Sequence, residues 1–391
     1  MKQHVNYNKT EINKKYYSQY YTSEKLGDFL VNSIPDCVIQ NILDLSAGEG
    51  ALLISAKKRY KSASLFGIDI DPVNVAKMKL IENMQCYCLD STEERTLLEI
   101  KKIKTMFELV VGNPPFGKGL HSNFTRKYFQ KWKLNNDSKY YRLEVLFLII
   151  SLELVGNKGC CGIIVPDGIL SSEKYSSFRE ILSQTFKYIH AIELDERSFV
   201  GTEARTHILI LSNESNATKE IICSSINHKD LKININKSQF ITRGDNRFNS
   251  FIFNKGRVTL ESENIKIQRG RVIKERGKDI IHTSSFDESF TIFSNDNEIK
   301  VPLPGVYAVK GDVILPRVGS RSLGKVGVVI SGFFLITDCV FVIKASESEY
   351  ANQIINIFKS DFGIQWIKSI SKGVGAQYIT INDLKKLPLS E

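Results

Sequence analysis

The sequence predicts an α/β chain: a parallel sheet with helices on both faces, followed by a smaller mixed α/β domain. Between about Gln40 and Ser212, apolar strand-length runs alternate with helical segments, the pattern of repeated strand-helix units. Acids recur at the ends of successive apolar runs, Asp44, Asp69 and Asp90, on the edge where such sheets bind ligands. From Ser212 to Lys219 the chain is rich in Ser, Asn and Thr, and beyond it the texture changes to short β-like runs with glycine turns.

The elements follow in order. Asn41 to Leu45 reads as a short strand and Ala51 to Arg59 as a helix. Ser64 to Ile70 is a second strand, and Asp71-Pro72 opens the next helix, with Asp as cap and Pro in the first turn. Met84 to Leu89 and Phe107 to Val111 are the third and fourth strands. A helix over Tyr141 to Val155 leads through Asn157-Lys158-Gly159 into the strand Cys160 to Val165. Tyr188 to Leu194 and Thr206 to Leu211 complete the expected sheet. The domain limits expected are 1–215, a linker over 216–240, and 241–391.

The 391 residues suffice for two domains with cores of their own. A net charge of +10 favours an acidic partner, nucleic acid being the commonest. Ten Lys or Arg stand against four acids between Arg243 and Lys278, so much of that excess is local. Met1 to Lys15 lacks the apolar core of a signal peptide, and Val145 to Val155 is too short to span a bilayer. The seven cysteines form no Cys-x-x-Cys pair and read as free thiols in a reducing, cytoplasmic setting. The six histidines lack ligand spacing, so no metal site is expected.

Asp44-Leu45-Ser46-Ala47-Gly48-Glu49-Gly50 is a strand-to-helix turn whose glycines let the backbone approach a small ligand closely. Three strand-end acids beside such a turn suit a nucleoside carrying an amino acid. A carboxylate after the second strand can accept both ribose hydroxyls, and one after the third can accept an adenine amine. Downstream, Asn113-Pro114-Pro115-Phe116 places an amide, two carbonyls and an aromatic ring at the end of an apolar strand. That set suits grasping an exocyclic amine on a flat base. Two acceptors aimed at the amine favour a pyramidal nitrogen and stabilise the positive charge that develops on it.

Together, in this order, the two stretches resemble the S-adenosylmethionine-dependent N6-adenine DNA methyltransferases of the gamma class found in restriction–modification systems. The resemblance implies a class I methyltransferase fold of Rossmann-like type, S-adenosylmethionine as cofactor and a target-recognition domain after the catalytic one. It assigns Asp69 to ribose, Asp90 to adenine, and Asp44, Gly48 and Gly50 to the methionyl part, with Ser46 among the cofactor-binding residues. Tyr21 and Thr22, in Tyr20-Tyr21-Thr22-Ser23, match the family's N-terminal cofactor motif, with Ser23 where proline is usual. Phe147 aligns with an aromatic that touches the cofactor adenine; core packing is the competing reading. Asn113 and the Pro114 carbonyl become the acceptors for the target amine. Phe116 stands in for the commoner tyrosine as a stacking wall, and Phe199 offers a second wall or else buries against the sheet.

A base inside a duplex must be flipped out to reach such a site. Lys118 and His121 follow in a glycine-flanked loop suited to phosphate contact or simply solvated. Gly311 to Ser320, Gly324-Lys325-Val326-Gly327, and Gly373 to Thr380 with Leu387-Pro388 resemble the target-recognition domains of type I specificity subunits. Arg269, Arg271, Arg317, Arg321 and Lys325 are therefore candidate DNA contacts, against the reading of solvated surface charge. Double-stranded DNA is the expected partner, with a separate cognate nuclease. Only Met1 to Gln19 precede the first cofactor motif, so a fused nuclease is not expected. Adenine methylation in RNA, glutamine methylation in protein, and a non-catalytic DNA-specificity protein stand as alternatives.

Overall fold

The computed structural model describes residues 22–134, 137–195, 198–199, 205–213, 219–251, 259–261, 263, 265–273, 277–296, 304–345, 350–373 and 376–389. The chain divides into two compact units, Met1–Asn249 and Ser250–Glu391.

In the first unit, helix α1 (Glu24–Asn32) precedes β1 (Asn41–Asp44), α2 (Ala51–Arg59), β2 (Ser64–Asp69), α3 (Pro72–Met78), β3 (Met84–Cys88), α4 (Glu94–Ile103) and β4 (Phe107–Gly112). Then come β5 (Lys118–Leu120), α5 (Asn123–Lys131), β6 (Tyr140–Arg142), α6 (Leu143–Leu154), β7 (Val155–Pro166) and α7 (Ser176–Thr185). The unit ends with β8 (Tyr188–Glu193), β9 (Thr206–Ser212), β10 (Glu220–Ser225), β11 (His228–Asn234) and α8 (Lys237–Thr242).

Nine of these strands form one sheet, in the order β11-β10-β8-β9-β7-β4-β1-β2-β3. The run from β7 to β3 is parallel throughout, and β9 lies antiparallel between β7 and β8. Strand residues alternate between two cores. Ile42, Leu65, Leu109, Ile164 and Ile210 belong to one core cluster; their neighbours Leu43, Phe66, Val110, Ile163 and Leu211 belong to the other. Side chains on a strand point to alternate faces, so helices must cover both. Helix α6 is buried almost all round, which explains its largely apolar sequence. Among the described residues no helix is long and apolar enough to cross a membrane.

Three expectations change. The stretch assigned to a linker holds β10 and β11, which extend the sheet beyond β8. Its Ile221, Ile222 and Cys223 are buried, a run too short to stand out beside Ser- and Asn-rich sequence. The turn expected at Asn157-Lys158-Gly159 is instead part of β7: Phe107 pairs with Val155 and Leu109 with Cys160, so the extra residues are absorbed as a bulge. Of the cations expected to make 243–278 a basic surface, Arg243 is buried in a pair with Asp245 and Arg247 is paired with Glu193; residues 255, 257, 274 and 276 lie outside the described ones.

The second unit holds a five-stranded sheet of β12 (Ile267–Arg269), β14 (Phe290–Ser294), β16 (Val313–Pro316), β17 (Val326–Ser331) and β19 (Val340–Ile343). A smaller sheet joins β13 (Ile280–Ile281), β15 (Tyr307–Val309) and β18 (Phe333–Ile336). Phe286, Phe293, Ile314, Val329, Phe334 and Val342 share its core. Helices α9 (Tyr350–Lys359) and α10 (Asp361–Ile370) complete this mixed α/β unit.

Candidate active site

The strand order of the first sheet reverses between β1 and β4: chain succession runs outward through β2 and β3 on one side and through β7 on the other. At such a reversal the loops leave in opposite directions and open a crevice beyond the carboxyl ends of the strands. Asp44 ends β1 there, Asp69 ends β2, Asp90 lies just past β3 and Asn113 just past β4.

Asp44 is buried. Its Oδ1 accepts the Ser46 N–H at 2.9 Å, and Oδ2 has no hydrogen-bond partner among the described residues. Burial pushes its carboxyl up to about 7, aided by the charge of Asp69 and opposed by the Ser46 N–H. A cation placed beside it would be strongly held. Asp69 is buried as well, and it braces the turn: Oδ2 accepts from Gly48 N at 2.8 Å, and Oδ1 from Asp71 N at 2.8 Å and Asn74 Nδ2 at 3.2 Å. Burial pushes its carboxyl up, against the pull of these donors. Gly48 and Gly50 have φ of 57° and 89°, the left-handed region that glycine adopts without cost. Gly50 stands at the N-cap of α2 and supplies no side-chain cap. The first N–H groups of that helix thus face the crevice edge ready for a carboxylate. Asp90 takes both the N–H and the hydroxyl of Thr92 on Oδ1, at 2.8 and 2.7 Å. An amino acid's carboxylate and ammonium, and a nucleoside's hydroxyls and amine, find complementary groups along this edge, so the residues present fit S-adenosylmethionine.

Asn113 is held from the N-terminal side of the chain: its Nδ2 donates to Thr22 Oγ1 at 3.1 Å. Thr22 thus orients the amide, while Ser23 caps α1 through Leu26 N. Asp44 pairs with Val111 across β1 and β4, which puts Asn113 two residues past that register. A Cβ built on Gly112 would lie 3.6 Å from Asp44 Oδ1. The buried carboxylate and the amide therefore stand on adjacent strand ends.

A family model described as N-6 DNA Methylase matches residues 6–257. The chain belongs to that family. Its large parallel-rich sheet, with a core on each face, is an α/β fold. The chain is similar to the type II methyltransferase M.CvrRI of Paramecium bursaria Chlorella virus XZ-6E, 24% identical over 204 residues that make up 49% of this chain and 47% of that protein. It is also similar to the type II methyltransferase M.AccI of Acinetobacter calcoaceticus, 22% identical over 45% of this chain and 33% of that one. The chain thus spans under half the length of these curated relatives. Among solved structures, the type IIG restriction endonuclease BpuSI shares the fold, with a TM-score of 0.52 and 14% identity over 96% of this chain and 59% of that one.

Within this member of the family the remaining sequence-predicted residues divide. Pro114 is buried and Phe116 half-buried in the loop after β4. Phe199 and Phe147 lie in the two core clusters, 6% and 7% exposed. Both side chains are packed in this structure. Tyr21 lies outside the described residues. Two buried acids escaped the sequence reading. Asp167, just past β7, accepts from Ser171 Oγ at 2.6 Å and adds a fourth acid to the edge. Glu144 accepts from Gly117 N at 3.2 Å and Arg142 Nε at 2.7 Å, pinning the chain just after Phe116. Its signal was faint: one acid in the first turn of a largely apolar helix that holds a second acid, Glu153, near its end. Among the described residues no group of three or more His, Cys, Asp or Glu is arranged to hold a metal.

In the second unit Arg269 and Arg317 converge. Their Nε atoms donate to the same carbonyl, Asp338 O, at 3.0 and 2.8 Å, and Arg269 Nη2 also reaches Asp338 Oδ2 at 3.2 Å. Burial, then the neighbouring Arg269, pulls the Arg317 guanidinium down from its usual value. Arg271 is exposed beside Thr337, and Arg321 is exposed in the loop before β17. Lys325 differs, spending its ammonium on the carbonyls of Phe286 and Asp287 at 2.7 and 3.2 Å. It ties the loop that carries Phe286 and Asp287 to the start of β17.

Proposed function

We propose that the chain is a gamma-class DNA methyltransferase that methylates N6 of a flipped adenine in a defined duplex sequence, as the modification enzyme of a restriction–modification system. The observation that carries this reading is the adjacency of Asp44 and Asn113 at the reversal of strand order. Methyl transfer needs a cationic donor and an amine acceptor side by side, and these neighbouring strand ends supply a group for each. S-adenosylmethionine, when bound, supplies the methyl group on a sulfonium. Asp44 and the uncapped start of α2 hold its amino-acid end, and Asp90, with Asp69 behind the turn, faces its nucleoside.

Asn113, oriented by Thr22, and the carbonyl of Pro114 accept from the two hydrogens of the target amine and stabilise the charge it gains. No strong base is needed, because the amine proton becomes acidic once the methyl group is attached. The rest of the acceleration comes from alignment. The second unit reads the target through the guanidinium edges of Arg269 and Arg317, since arginine bidentate to guanine is the commonest specific contact.

Single-molecule sequencing of DNA from cells expressing the chain tests this reading. The expected result is N6-methyladenine at one short motif, lost in Asn113→Ala while calorimetric S-adenosylmethionine binding persists. Unmodified DNA beside methylated RNA or a methylated glutamine would replace it.

A further inference from the structure

We propose that the ribbon β5–β6 is a duplex-opening element, whose outward pair Leu120 and Tyr140 enters the base stack beside the flipped adenine. The inference rests on the DNA reading above and adds the device that empties the helix. Strand β5 follows the tetrapeptide after a single residue, and its three residues pair with β6 as Lys118 with Arg142, Gly119 with Tyr141 and Leu120 with Tyr140. Alternation separates two faces. Inward, Tyr141 covers Gly119 so closely that a Cβ there would lie 2.4 Å from the Tyr141 ring. Tyr141 also packs with His121 and Phe129, at ring-centroid separations of 5.0 and 5.6 Å. That face explains the ribbon's folding. The outward face is not needed for it, yet carries Leu120 and Tyr140 opposite each other, 61% and 50% exposed.

Both ends of the ribbon are fastened at one point. Gly117 N donates to Glu144 Oε2 at 3.2 Å, and Leu143 N donates to Gly117 O at 3.1 Å. The ribbon is thus a braced extension of the loop that carries Asn113 and Phe116. Leu120 lies four positions after Phe116, a reach of at most about 14 Å, comparable with the width of about 12 Å of a major groove, which admits a two-stranded ribbon. The occupant follows from charge. Residues 118–142 hold seven Lys or Arg against one acid, Asp137; Lys131 is paired with Glu153 and Arg142 with Glu144, while the exposed Lys118 projects on the same face as the apolar pair. Cations that meet phosphates around an apolar wedge are the combination that unstacks base steps. Exposed leucines are common singly, and a cross-strand apolar pair steadies a ribbon by itself. A purely structural pair would affect every DNA substrate alike.

That difference is the test. Full-length wild type, Leu120→Ser and Tyr140→Ser are compared on a synthetic duplex carrying the mapped methylation motif. The target adenine is paired with thymine in one duplex and placed opposite an abasic site in another, where opening costs little. Each variant is expected to lose about tenfold in kcat/KM on the paired duplex and to recover most of it opposite the abasic site. The fluorescence rise of 2-aminopurine at the target position should be weakened on the paired duplex only. Lys118→Ala should lower the salt dependence of binding by about one unit of slope. Equal losses on both duplexes, or no loss, overturn the proposal while leaving the methyltransferase reading intact. No methylation of either duplex by wild type overturns both. Thermal unfolding at the wild-type temperature verifies that the variants are folded, and Tyr140→Thr, which suits a strand, serves if the serine variant is not.

Discussion

At the end of β1 the Asp44 carboxyl is almost wholly out of water, with one oxygen on the Ser46 N–H. Burial raises it from the ordinary 3.8 to about 7, so burial favours the neutral form. Its stabilising contribution is full below about pH 4 and is lost as pH rises through about 7. The cationic cofactor wants the opposite form. Binding of S-adenosylmethionine should therefore weaken as pH falls below about 7, by up to about tenfold per unit. Calorimetry between about pH 5.5 and about pH 7, in buffers of differing ionisation enthalpy, should show proton release on binding. Asp44→Asn should bind weakly and without pH dependence. A flat wild-type profile would remove Asp44 from the cation's site. Asp69 behaves differently: three donors from the protein already occupy it, so Asp69→Ala disturbs the glycine turn as well as any ribose contact.

At the scale of elements, one buried arginine ties α7 to α8. Arg179 is fully buried and donates to carbonyls of Phe240, Ile241 and Thr242 in the last turn of α8, and of Ile169 and Ser172 after β7. Among the described residues no carboxylate hydrogen-bonds it, and burial pulls its guanidinium down to about 10. The fork of five N–H donors suits this cluster and a lysine does not. Arg179→Met leaves several buried carbonyls unpaired and should cost about 3–5 kcal/mol, with Arg179→Lys between the two. Urea unfolding followed by circular dichroism measures this. A loss under about 1 kcal/mol would show that water satisfies the carbonyls as well.

At the scale of the molecule, the place where the first unit ends decides which fragment can stand alone. A fragment ending near Asn213 lacks β10, β11 and α8, stripping the partner strand from β8 and the acceptors from Arg179. One ending at Asn249 keeps them, together with the buried Arg243–Asp245 pair. The longer fragment should fold cooperatively and bind S-adenosylmethionine; the shorter should aggregate or melt well below it. Neither should methylate the mapped motif, because the arginines around Asp338 are missing. Calorimetry and methylation mapping of both fragments check this. Specific marking by the longer fragment would move target recognition into the first unit.

The sequence by itself determined the alternation of strands with helical segments between about Gln40 and Ser212, the strand-end acids and the tetrapeptide after β4. Each is a local signal: apolar period, a proline after a cap, glycine where φ must be positive. Asp71-Pro72 and Gly48-Glu49-Gly50 lie where those signals place them. The tertiary structure alone decided what those residues touch. Thr22 meets Asn113 across 91 positions of sequence, Asp69 is consumed in bracing Gly48, and Lys325 serves two carbonyls. Likewise β10 and β11 became strands because β8 offered an open edge, whereas their own composition reads as a linker. A pattern in sequence reports what a segment needs from its surroundings, but hydrogen bonds and burial depend on which distant partner the folded chain brings to meet it.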